Sequence, residues 1–274
     1  KQLAHGIRGC LKGLGTDDTG LAALLVQHDR SQMSAIMQAY REEFGRELVE
    51  DIKADTMGNY EDALLALTLP APVTWAKGLL SSMKGIGTSD DALINWMCIA
   101  KDRMSEVRTA FSEVSTKALP TMIDQECSGD YKHALVALAK RNPDDHIEQG
   151  LPFFAQRMKD AFGNWELLQD LVINLPCSAI DRAYEIFKTK RENILLPDEV
   201  KSACEAACFF PSMSSNWING MASLAESRAG LFAKALKEAM DGIGTDEYSL
   251  TALVCTVPEA LCENVVNIYQ QRYG

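Results

Sequence analysis

Apolar residues recur along this chain at every third or fourth position, in short runs cut by glycine, proline or a capping residue. That period belongs to helices with one buried face. Leu3, Ile7 and Leu11 share one face of a first helix. Thr16 is placed to cap a second, with Asp17 and Asp18 in its first turn and Leu21, Leu24 and Leu25 on its inner side. Ser31 is expected to cap a third, whose face carries Met33, Ile36, Met37, Tyr40 and Phe44 and which stops at Gly45. Leu48 and Ile52 mark a short fourth helix; Tyr60, Ala63, Leu64 and Leu67 mark a fifth that ends before Pro70. Alternation with period two never lasts long enough for a strand, so the pattern predicts an all-α protein.

The plan repeats. Lys12–Asp18 reads KGLGTDD, Lys84–Asp90 reads KGIGTSD, and Asp241–Glu247 reads DGIGTDE. Their first glycines, Gly13, Gly85 and Gly242, are separated by 72 and then 157 residues, so one copy is missing near residue 160. There the chain reads DAFGNWE (Asp160–Glu166), with one glycine and no Gly-x-Gly-Thr. Four units of about five helices follow: 1–70, 71–140, a degenerate third at 151–225, and a fourth at 226–274 holding only its first three helices. Residues 141–150, RNPDDHIEQG, read as a linker dividing the chain into halves. YQQRYG (Tyr269–Gly274) matches YREEFG (Tyr40–Gly45) two helices before a unit should end, and Lys1 stands where a Met would begin; the sequence reads as incomplete at both ends.

Charge narrows the partners. The formal net charge of −11 argues against nucleic acid, and an anionic membrane would repel the bulk of the chain unless positive charge came from elsewhere. With 47 % apolar residues and 9 prolines a packed core is expected, yet no apolar run reaches the ~18 residues of a spanning helix and no signal peptide precedes the first helix. Eight cysteines without a CxxC pair read as reduced core residues of a cytoplasmic protein.

The glycine loops suggest a source of positive charge. A helix C-terminus points carbonyl oxygens outward, and a glycine turn lets several converge on a hard cation. Calcium takes six to eight such oxygens, usually with a carboxylate among them. Thirty-eight residues separate Thr16 from Asp55, in DTMG (Asp55–Gly58); 37 separate Thr88 from Glu126, in ECSG (Glu126–Gly129). An acid, two residues and a glycine, at matched distance from two loops, read as a pair of ligands. The competing reading makes both acids N-terminal helix residues that favour the macrodipole.

With these motifs the chain resembles the annexin family over nearly its whole length. LKGLGT (Leu11–Thr16) with Asp55, and MKGIGT (Met83–Thr88) with Glu126, fit that family's calcium-binding pattern, the second one residue short. The resemblance implies four repeats in a slightly curved array that binds calcium and, through it, anionic phospholipid of the phosphatidylserine kind. It assigns main calcium sites to the carbonyls of Leu11, Gly13 and Gly15 with Asp55, and of Met83, Gly85 and Gly87 with Glu126. Secondary sites would use Thr16 with Asp18, Thr88 with Asp90, and Thr245 with Glu247. Met240, Gly242, Gly244 and Thr245 form a partial fourth-unit loop, with Asp241 in place of the usual basic residue and a distal acid expected beyond Gly274. Lys12 and Lys84 are candidates for lipid headgroups. The third unit is expected to lack a main site, and Phe162 and Trp165 either dip into a bilayer or, for Trp165, pack in the core. Location would be cytoplasmic, peripheral to membranes when calcium rises. The alternative is an annexin-fold scaffold bound to cytoskeleton or another protein, with lipid binding weak or lost. No enzyme is expected: His5, His28, His133 and His146 are scattered, and no HExxH, nucleophile elbow, phosphate loop or EF-hand occurs.

Overall fold

The computed structural model describes residues 1–13, 15–85, 88–142, 165–190, 195–207, 215–241 and 244–274. Among them there is no strand, and no helix is long and apolar enough to cross a membrane. The first unit holds α1 (Gln2–Leu11), α2 (Asp18–Val26), α3 (Arg30–Phe44), α4 (Leu48–Asp55) and α5 (Gly58–Thr68). The second holds α6 (Ala71–Ser82), α7 (Asp90–Ala100), a 3-10 turn (Lys101–Arg103), α8 (Met104–Val114), α9 (Leu119–Glu126) and α10 (Gly129–Lys140). Then come α11 (Trp165–Asn174), α12 (Cys177–Lys190), α13 (Leu196–Ala207) and α14 (Ser215–Leu224), followed by α15 (Arg228–Met240), α16 (Glu247–Thr256) and α17 (Glu259–Tyr273).

The apolar stripes bury as their period requires: Ile7, Leu11, Leu21, Leu25, Met33, Tyr40, Leu48 and Ile52 form one closed cluster. Two caps differ from expectation. Asp17, not Thr16, caps α2, accepting from the Gly20 N–H at 3.0 Å. Asp29, not Ser31, caps α3 in a reciprocal box with Gln32; a carboxylate next to the chain entry reaches the N3 amide, while Ser31 already lies inside the helix. Gly45 does stop α3, at φ 62°.

The remaining units share one continuous core running from Trp75 and Trp96 through Trp217 to Phe232. Buried polar groups join them. Lys101 is buried and its Nζ donates to the Val172 carbonyl, while Arg141 donates to the Lys101 carbonyl at 2.8 Å and the Asn174 carbonyl at 3.2 Å. The first unit meets the fourth where α5 packs on α16: Arg30 bridges the Ala66 and Cys255 carbonyls, each at 2.6 Å. Of the expected linker, Arg141 is instead buried in the junction at Lys101, while residues 143–150, residues 160–164 of the degenerate third loop with Phe162, and the Trp165 side chain lie outside the described residues.

Candidate functional site

Three loops are built alike. The Asp17 N–H donates to the Cys10 carbonyl at 3.0 Å, Ser89 to Ser82 at 2.9 Å, and Asp246 to Ala239 at 2.8 Å. Each bond spans the same seven positions, so each loop leaves one helix and enters the next through one geometry. Gly13, Gly15, Gly85 and Gly244 hold φ of 141°, 90°, 106° and 98°. A Cβ built at any of these would meet nothing within 4 Å. The glycines are therefore required by backbone angle, not by room for converging carbonyls. Gly87 and Gly242 lie outside the described residues.

The distal acids occupy equivalent places in their units. Asp55 is the last residue of α4 and Glu126 the last of α9. This overturns the reading of them as N-terminal acids: each carboxylate sits at the negative end of a helix dipole, a position that costs about 0.3–1 kcal/mol without a cation nearby. The Thr16 hydroxyl donates to the Asp55 carbonyl at 3.1 Å, tying the first loop directly to the end of α4. Gly58 and Gly129, at φ 64° and 63°, then turn the chain into the next helix. Two residues on, the Tyr60 hydroxyl donates to the Asp18 carbonyl at 2.7 Å, and Tyr131 to the Asp90 carbonyl at 3.4 Å. Each tyrosine thus pins its acid-bearing turn to the first residue of the helix after the loop. Burial, with Asp18 beside Tyr60 and Asp90 beside Tyr131, pushes both phenols up and keeps them as donors. The apolar periodicity had used Tyr60 only as a core residue; the matched GNY and GDY after each acid was the signal for its second role.

Leu11 and Met83 bury their side chains and so fix the loop entry, whereas Met240 is exposed. Lys12, Lys84, Asp55 and Glu126 are all exposed. Among the described residues no backbone N–H donates to the carbonyls of Leu11, Gly13, Gly15, Met83 or Gly85. Carbonyl and carboxylate oxygens are the hard donors that calcium takes. No cluster of three His, Cys, Asp or Glu side chains able to hold a metal occurs among the described residues, as a site made mostly of carbonyls requires.

The secondary acids differ from one another. Asp90 Oδ2 accepts from Asn216 at 2.5 Å, and Glu247 Oε2 accepts from Asn59 at 2.5 Å. Asn216 and Asn59 are each the second residue of their helix, so the second unit is joined to the third, and the fourth to the first, by equivalent bonds. The Asp18 carboxylate makes no hydrogen bond among the described residues, while Thr245 is exposed and Thr88 half-buried. Met57, between Asp55 and Gly58, is 84 % exposed. Sequence periodicity gave no sign of these asparagines or of Met57, because each depends on what another unit covers or leaves open.

The annexin family model matches residues 2–67 and 75–138, two segments that each contain a glycine loop and its acid. Human annexin A3 (Homo sapiens) is 29 % identical over 277 residues, covering 99 % of this chain and 84 % of its own. The chain belongs to the annexin family. Its fold is also that of solved annexins: calcium-bound annexin (Sm)1 superposes with a TM-score of 0.80 at 22 % identity, covering all of this chain and 82 % of the other. Annexin III superposes at 0.75 and 24 % identity, covering all of this chain and 85 % of the other. The matched segments each span one whole unit of the all-α repeat described above.

Proposed function

We propose that this annexin binds calcium at its first and second glycine loops and attaches through it to anionic phospholipid. The observation that carries the reading is the join between loop and acid: Thr16 on the Asp55 carbonyl, with Tyr60 and Tyr131 clamping the equivalent turns of two units. The carbonyls of Leu11, Gly13 and Gly15 with Asp55 would hold one ion, and those of Met83, Gly85 and Gly87 with Glu126 a second. Bound calcium supplies the positive charge that a chain of net −11 lacks, leaving coordination positions for lipid phosphate.

The protein's own residues do the rest. The positive-φ glycines set the turn of each loop, the buried Leu11 and Met83 side chains keep the loops seated, and exposed Lys12 and Lys84 are available to phosphate. Met57 offers an apolar side chain beside Asp55, suited to the headgroup boundary. Two sites on one molecule act multivalently, so each can be weak. Of the secondary sites, Thr16 with Asp18 is the freest; at Asp90 and Glu247 one carboxylate oxygen already accepts from Asn216 or Asn59, leaving the other for a cation. The fourth loop (Met240, Gly242, Gly244, Thr245) would offer its carbonyls in the same way, with Asp241 where the other two loops carry Lys12 and Lys84.

Sedimentation with phosphatidylserine vesicles tests the reading. Binding should require calcium and be lost in the Asp55→Ala, Glu126→Ala double variant, while helicity stays unchanged. Calcium-independent binding, or a double variant that binds as the parent does, would refute it. Absence of any vesicle binding at millimolar calcium would favour a scaffold whose partner is a protein.

A further inference from the structure

A cavity of about 810 Å³ opens where the first, second and fourth units meet. It lies at the far end of the helices that carry the glycine loops. α2 leaves its loop at Asp17 and reaches the cavity at Val26; α16 leaves its loop at Asp246 and reaches it at Cys255. α15 runs the other way, from Arg228 in the cavity wall to Met240 in the fourth loop. The 9 residues of α2 span about 13 Å, so cavity and loops sit on opposite faces of the molecule.

Three arginines stand in the wall, one from each of these units. Arg30 is half-buried, and its guanidinium bonds only neutral carbonyls: Leu69 at 2.5 Å, and Ala66 and Cys255, each at 2.6 Å. Burial lowers its pKa, the Cys255 thiol opposes that, and the charge of Arg103 adds to it. Arg103 spends Nε and Nη2 on Glu106, at 2.8 and 2.6 Å, which leaves Nη1 for another acceptor; its guanidinium lies 5.9 Å from the Trp75 ring centroid. Arg228 is half-buried and only its backbone N–H bonds, to Asp181 at 2.7 Å; its guanidinium has no hydrogen bond or ion pair among the described residues. Two carboxylates share the wall: Asp29, committed as the cap of α3, and Glu259, exposed at the start of α17. Arginine thus outnumbers carboxylate here, the reverse of a chain whose net charge is −11. Leu67, Val257 and Pro258 give the cavity an apolar side, and its volume falls in the range of sites for small organic ligands.

We propose that this cavity binds a phosphate group carried on a small organic body. A guanidinium with unused N–H donors takes phosphate oxygens two at a time, and Arg228 and Arg103 Nη1 hold such donors. Arg30 adds charge without giving up its carbonyls, while Leu67, Val257 and Pro258 receive the apolar part. None of these residues is a ligand of the glycine loops, so the proposal does not depend on calcium, and the opposite placement leaves the cavity open when the loops face a membrane. The phosphate can belong to a free small molecule or to a phosphorylated side chain of another protein.

Phenyl phosphate, an anion on a compact apolar body, is a suitable probe. Calorimetric titration would be run in buffer stripped of calcium on a chelating resin, at fixed potassium chloride, so that no soluble chelator competes as an anion and screening is constant. One saturable site is expected. Arg228→Gln should weaken it about fivefold, by removing a charge-assisted pair. Glu259→Gln should tighten it about twofold, by removing an opposing charge. Circular dichroism checks that both variants fold; if Arg228→Gln does not, Glu259→Gln, at an exposed position, decides alone by the sign of its effect. A parallel titration with a phosphoserine-containing Gly/Ser peptide separates the sources: saturation by both probes admits a protein side chain, and saturation by phenyl phosphate only restricts the site to a free ester. No saturable binding of either probe at millimolar concentration, an Arg228→Gln variant that folds and binds as the parent does, or a Glu259→Gln variant that binds no more tightly would overturn the proposal.

Discussion

At Gly85 the backbone holds φ 106° with open space around the position where a Cβ would stand. Alanine there would be strained by its own dihedral by about 1–3 kcal/mol, and the strain is free to relax into the exposed loop. Gly85→Ala is therefore expected to lower calcium-dependent stabilisation in thermal melts, while the calcium-free melting temperature moves by only a few degrees. An unchanged calcium response would show that the loop tolerates another backbone path. Cys127, next to Glu126, makes the complementary point about chemistry: burial, then Asp90 and Glu126, pushes its thiol up to about 11. A thiol that stays protonated at neutral pH is a poor nucleophile, and this one lies beside the acid without competing for a metal.

Helix contacts set a different constraint at Gly78 in α6. A Cβ there would stand 2.5 Å from Trp96 Cε2 and 2.7 Å from its Nε1, and Trp96 is itself buried in α7. Alanine would gain about 1 kcal/mol of helix propensity, against an overpacking cost of about 1–3 kcal/mol because the indole has nowhere to go. Gly78→Ala should thus be net destabilising, by about 1 kcal/mol in urea titration. A stabilised variant would mean that α6 and α7 can separate without loss.

Over the whole molecule, stability is divided unevenly. The first unit has its own apolar cluster, while the others share one. Asp51, 2 % exposed, joins α1, α3 and α4 of that unit, accepting from Arg8 at 2.8 Å and Tyr40 at 2.6 Å and pairing with Arg46. Burial raises its pKa, but the hydrogen bonds from Arg46 and Tyr40 outweigh that and hold it below its usual value. A depressed carboxylate contributes stability that is present above the unfolded-state pKa of about 3.9 and lost as pH falls through the folded value. Asp51→Asn should cost about 1–3 kcal/mol at neutral pH, since it removes the charge-assisted bonds that buried Asp51 accepts from half-buried Arg8, exposed Arg46 and buried Tyr40. The gap between parent and variant should narrow below about pH 4, and thermal melts across pH would show it. A gap constant down to pH 2 would mean that Asp51 keeps no such partnership in solution.

The sequence determined a good part of this annexin without help from the fold. A helical period, punctuated by glycine and proline, defined five helices in the first unit because burial of one face is a local demand on i and i+4 neighbours. Three copies of Gly-x-Gly-Thr marked helix ends, because only glycine adopts the angles that Gly13, Gly85 and Gly244 hold. Matched spacing put Asp55 and Glu126 at the same place in their units, the last residue of α4 and of α9, since equal chain lengths through equal helices end in equal places. Caps were less legible: Asp17 and Asp29 outcompeted Thr16 and Ser31 over one or two residues, a choice made by side-chain reach. Tertiary structure alone decided everything that crosses between units. Asn216 on Asp90, Asn59 on Glu247, the shared core of the later units and the cavity of Arg30, Arg103 and Arg228 join residues more than a hundred positions apart or turn on such neighbours. No period or spacing along the chain encodes which distant face will cover a side chain, because packing of whole helices sets it.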